Sequence, residues 1–130
     1  MLDLAKPRWW ILGAALIVAL ILLGSLLPRL PLDGLNDNDK LNHAAAYAAL
    51  MFWIVGMLRH SWYVVAWAFV VTLGGSVELM QALMGLGRYA DWRDFLANLL
   101  GASLVLMLAW VGIGGWAGRV ERALGLTGNR

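Results

Sequence analysis

The chain has 130 residues, 62% of them hydrophobic and 14% charged, where a soluble domain carries roughly a quarter charged residues. That is length for one domain, 1–130, and too much apolar mass for a water-soluble core of this size, so a membrane protein is expected. The ten Lys and Arg, for a net charge of +2, are spread over every hydrophilic segment, which argues against a nucleic-acid partner, and the absence of cysteine excludes disulfides, thiolate metal sites and cysteine nucleophiles.

About 20 apolar residues span a bilayer core, and four stretches meet that length. The expected fold is therefore an all-α integral membrane protein, four transmembrane helices in a compact bundle with short links. The first runs from Trp9 to Leu27, uncharged throughout and closed by Pro28. Lys6 and Arg8 precede it as they would a signal peptide, but its apolar stretch is too long for an h-region and no A-x-A-like site follows, so it is read as a retained helix. Residues 28–40 (PRLPLDGLNDNDK) are loop-like, rich in turn formers. The second helix covers about 40–58, the third 62–86, interrupted only by Glu78 and Gln81, and the fourth 94–117, ended by Arg119. With four spans, the N-terminus, the second link and the C-terminus share a side holding six basic residues against four opposite, which places both termini in the cytoplasm. Trp9, Trp10, Trp62, Trp92 and Trp116 sit near span ends, where indoles favour the headgroup region.

The polar residues inside the spans form stripes. On the third helix Gly74, Glu78, Gln81 and Gly85 recur at helical spacing; on the second, Lys40, His43 and Tyr47; on the fourth, Asp91, Asp94, Asn98 and Gly101. The second and fourth helices begin where the third ends, so the stripes meet at one membrane face as a polar notch open to the non-cytoplasmic side. Glu78 floors it, about 6 Å from mid-span at 1.5 Å per residue. A charge at that depth costs on the order of 2–4 kcal/mol, so it must face protein or water and have a partner. Arg88 and Lys40 lie at the rim, and the glycines allow close helix approach. Each residue also has a plainer reading. Glu78 and His43 can be helix-to-helix hydrogen bonds, Tyr47 a satisfied hydroxyl, and Asp39, Asp91 and Asp94 helix-start residues. Arg88 can snorkel to headgroups.

The strings DKLNHAAAYAAL (39–50) and VELMQALMGLGRYADWRDFLANLLGA (77–102) resemble the VanZ-like family of bacterial membrane proteins. The family pattern falls on Asp39, Lys40, His43, Tyr47, Glu78, Gln81, Arg88, Asp91, Asp94, Asn98 and Gly101, about half the chain. Leu86 and Gly87 stand where a proline is often found, and Val105 where a small residue is usual. The resemblance implies a bacterial inner-membrane protein of the cell envelope, and the family's namesake is associated with low-level resistance to teicoplanin, a glycopeptide antibiotic.

The function expected first is binding of a membrane lipid headgroup or lipid-linked envelope precursor in the notch. Arg88 and Lys40 would meet anionic oxygens, and Glu78, Gln81, His43 and Asn98 would bond sugar or amide groups. The alternatives are a membrane-embedded enzyme, with His43 and Glu78 as acid and base and Asp91 or Asp94 holding a metal, and a structural subunit whose notch is internal glue. No cofactor is expected. Neither is a resident metal, since no metal motif of known spacing is present. The spacing of Gly114 and Gly118 offers a contact for a membrane-protein partner or a second copy.

Overall fold

The computed structural model describes residues 1–27, 39–84 and 91–126, which are helical with no strand among them. Pro7–Leu26 forms α1, Asp39–Met57 α2, Tyr63–Met84 α3 and Trp92–Leu108 α4. A 3₁₀ turn, His60–Trp62, leads into α3, a π-helical turn, Ala109–Ile113, extends α4, and Trp116–Ala123 forms α5. α1 starts on Pro7, whose fixed φ suits a first helical position and whose missing N–H would have had no partner there. It buries only Ile21 and Ser25 and leaves Ile11, Leu12, Leu16, Leu20 and Leu23 more than half exposed. A helix apolar on every face is the kind found inside a large apolar core or across a membrane.

Three stretches, residues 7–26, 60–84 and 92–113, are long and apolar enough to cross a membrane. At 1.5 Å per residue they reach roughly 30–37 Å, against about 30 Å of hydrocarbon. α2 does not meet the same measure, because Asp39, Lys40, Asn42 and His43 crowd its first turns. It is the enclosed helix, burying His43, Tyr47, Leu50, Met51, Val55, Gly56 and Met57. Leu50, Met51 and Val55 of α2 meet Tyr63, Ala66 and Val70 of α3 and Ala102 and Val105 of α4 in one core. α2 and α4 touch backbone to side: a Cβ added at Gly101 would overlap the carbonyl of Ala44. Trp67 on α3 donates through Nε1 to Ser103 Oγ on α4 at 3.0 Å.

The last helix expected over 94–117 is corrected. The backbone leaves helical geometry at Gly112, with φ 128°, and α5 begins after Gly115, at φ 68°. Only glycine takes these values without a Cβ clash, and two of them so close end a helix that hydrophobicity alone would carry on. Arg119 caps the break, donating through Nη1 to the Gly114 carbonyl at 2.9 Å and through Nη2 to that of Ile113 at 3.0 Å. Gly114 and Gly118 therefore do not share one helix face.

The bundle has two different ends. At one, the Leu2 N–H donates to Met57 O at 2.8 Å and the Gly115 N–H to Val55 O at 2.9 Å. The N-terminal segment, the end of α2 and the start of α5 gather there around Trp10, Trp53 and Trp116, whose rings pack at 5.2–5.5 Å between centroids. At the other end α2 and α4 begin and α3 finishes, which is where the polar stripes meet.

Candidate functional site

Helical spacing aims the notch residues at one another. His43 and Tyr47, a turn apart on α2, face Glu78 of α3 and Asp94 and Asn98 of α4, and all five are buried. Gly74 makes the room. A Cβ there would stand 3.1 Å from the Tyr47 ring and 3.3 Å from the Asn98 side chain.

His43 is the hub. Its Nδ1 lies 3.1 Å from Asn98 Oδ1, an amide oxygen that accepts from the ring when Nδ1 carries the proton. The same nitrogen stands 3.7 Å from Glu78 Oε1, while Nε2 stands 3.9 Å from Asp94 Oδ2. At the rim Lys40 Nζ lies 3.8 Å from Asp94 Oδ1 and 3.9 Å from Asp91 Oδ2. All four charge contacts are longer than hydrogen bonds, so the groups sense each other electrostatically without closing on each other. The Tyr47 hydroxyl, Glu78 Oε1, Asp94 Oδ1 and Asn98 Nδ2 are buried with no hydrogen-bond partner among the described residues. Native interiors leave few such atoms, because each costs about 1–3 kcal/mol.

Other expected residues are used differently. Asp91 caps α4, accepting from the Arg93 N–H at 2.8 Å, and its own N–H reaches Glu78 Oε2 at 3.4 Å. It thus seats the third helix's carboxylate as well as the fourth helix's start. Gln81 turns away from His43, and its amide donates to the Ser25 carbonyl of α1 at 2.8 Å. Asp39, at the start of α2, offers a carboxylate oxygen that with His43 and Asp94 makes a set of three potential metal ligands, all within 4.8 Å of one another. Arg88 and Gly85 lie outside the described residues.

The sequence reading missed Glu121, which is 1% exposed at the opposite end of the bundle. Its carboxylate accepts from the Ala5 N–H at 2.6 Å, the Lys6 N–H at 3.0 Å and Trp10 Nε1 at 2.8 Å. Burial alone pushes this carboxyl up, but the bonds from Trp10, Ala5 and Lys6, with the Lys6 charge, outweigh it and hold the pKa below the ordinary glutamate value. The available signal was that Glu121 is the sole acidic residue after Asp94, set between Arg119 and Arg122.

Compared with models of protein families, with curated proteins and with solved structures, the chain matches none.

Proposed function

We propose that the chain is a VanZ-like membrane protein of the bacterial cell envelope that holds a lipid headgroup or lipid-linked envelope precursor in the notch. In this reading α2 crosses the membrane with α1, α3 and α4, enclosed by its neighbours and sparing its polar face from lipid. Both termini lie in the cytoplasm, so the notch opens outward. The observation that carries the reading is the set of four buried polar atoms, on Tyr47, Glu78, Asp94 and Asn98, with no hydrogen-bond partner among the described residues. A side chain serving only as glue between helices finds a partner on the next helix, as the Gln81 amide does on the Ser25 carbonyl. A cluster that leaves a phenol, two carboxylate oxygens and an amide nitrogen open among the described residues is built to be completed by something else.

Native mass spectrometry of the detergent-solubilised protein tests this. Wild type is expected to retain a polar lipid or precursor that a folded Glu78→Gln variant releases, and the retained mass identifies it. Equal retention by both proteins, or by neither, refutes the reading. An enzyme is the second reading, supported by His43 standing between the carboxylates of Glu78 and Asp94 at 3.7 and 3.9 Å. It predicts turnover of the retained species, abolished in His43→Gln.

A further inference from the structure

A phosphate-bearing headgroup meets a charge problem in this notch. Glu78, Asp91 and Asp94 bring three carboxylates to it, and Lys40, more than half exposed at the rim, stands against Asp91 and Asp94. The atoms nearest the centre are worse matched still. His43 holds Nδ1 3.1 Å from Asn98 Oδ1 and sets Nε2 3.9 Å from Asp94 Oδ2. The second oxygen of the same buried carboxylate has no hydrogen-bond donor among the described residues. Carboxylates gathered in a buried site repel one another unless a cation stands between them.

We infer that Asp39, His43 and Asp94 form a binding site for a divalent transition-metal ion of the zinc or manganese kind. Their ligand atoms already lie within 4.8 Å of one another. Atoms about 2.1 Å from one ion stand roughly 3–4 Å apart, so side-chain shifts under about 1 Å close the set. One imidazole with two carboxylates suits zinc or manganese better than magnesium or calcium, which take oxygen ligands throughout. Asn98 Oδ1, 3.1 Å from Nδ1, supplies the outer contact that a ligating histidine needs while Nε2 takes the metal. Lys40, 3.8 Å from Asp94 Oδ1, is the ion's competitor, and its exposed stem lets it swing out when the ion enters. Three protein ligands leave coordination positions open, and an anionic headgroup oxygen can fill one. The ion site stands on its three ligands, whereas its use in holding a phosphate rests on the headgroup reading above.

The test is a titration of the chelator-stripped full chain in detergent with Mn²⁺ alone, free ion being read by electron paramagnetic resonance. Wild type is expected to bind one ion per chain, with a nitrogen coupling to the bound manganese that marks the imidazole. Asp94→Asn and His43→Gln should each weaken binding at least about ten-fold, with the nitrogen coupling lost in His43→Gln. Lys40→Met, which removes the competing charge and no ligand, should tighten it. Absence of saturable one-to-one binding in folded wild type overturns the inference whatever the variants do. So does unchanged binding in folded Asp94→Asn and His43→Gln. Lipid retention is scored separately by native mass spectrometry, with and without Mn²⁺. Metal bound but no lipid retained sinks the headgroup reading and keeps the site. Lipid retained with no metal bound does the reverse.

Discussion

Replacing Glu121 by Gln keeps the side chain's shape and removes its charge. Three donors now converge on the carboxylate, two N–H groups from residues 5 and 6 and the Trp10 indole, at 2.6 to 3.0 Å. A carboxamide has one oxygen, so at least one donor loses its acceptor and faces an NH₂ group, and the bonds that survive drop to neutral strength. Hydrogen bonds to charged groups contribute about 1.5–3 kcal/mol against about 1 for neutral pairs, which puts the loss at roughly 2–4 kcal/mol. The damage should be local to the strap formed by the N-terminal segment on α5. Hydrogen exchange at Ala5 and Lys6 should accelerate roughly 30-fold or more, since about 1.4 kcal/mol is tenfold, while amides from Ala44 to Tyr47, inside α2, keep their wild-type rates. Acid should mimic the substitution. The folded pKa of Glu121 lies below its unfolded value, so its stabilisation is fully present above about pH 4.3, the ordinary glutamate value. It is lost as the pH falls through the lower folded value. Exchange in Glu121→Gln at the wild-type rate, or a strap equally protected on both sides of that window, would show that the carboxylate does not hold the segment.

Three further substitutions probe the packing and the backbone. Gly101→Ala drives a methyl into the Ala44 carbonyl and forces α2 from α4, at a cost of about 1–3 kcal/mol readable as a lower unfolding temperature in detergent. Gly24→Ala, with no atom of the described residues within 4 Å of its Cβ position, should leave that temperature unchanged or raise it. Gly112→Ala meets no atom of the described residues within 4 Å but must hold an alanine at φ 128°. It should destabilise by about 1–3 kcal/mol through backbone strain alone, and its failure to do so would show that the break relaxes into helix.

Helical periodicity placed His43, Tyr47, Glu78, Asp94 and Asn98 on facing stripes, and a residue's face on a helix depends only on its number along the chain. Gln81 exposes the limit of that argument. It shares the stripe of Glu78, yet a stripe is wide enough to meet two neighbours, and the Ser25 carbonyl of α1 takes its amide. The helix break at Gly112 was hidden for a related reason: hydropathy runs on through residues 109–113, and only the backbone angles stop the helix.

What the sequence determined by itself was whatever depends on local composition and spacing. The chain's apolar excess made three helices long and apolar enough to cross a membrane, and the period of its polar residues laid them along particular helix faces. The tertiary structure alone decided which of those residues touch and which atoms are left over. Asn98 meets the ring of a histidine 55 positions away, and Glu121 accepts from backbone N–H groups 115 and 116 positions away. Neither contact leaves a periodic trace, because a hydrogen bond depends on where two helices cross and on a rotamer chosen within about 3 Å, and both are set by packing across the whole bundle.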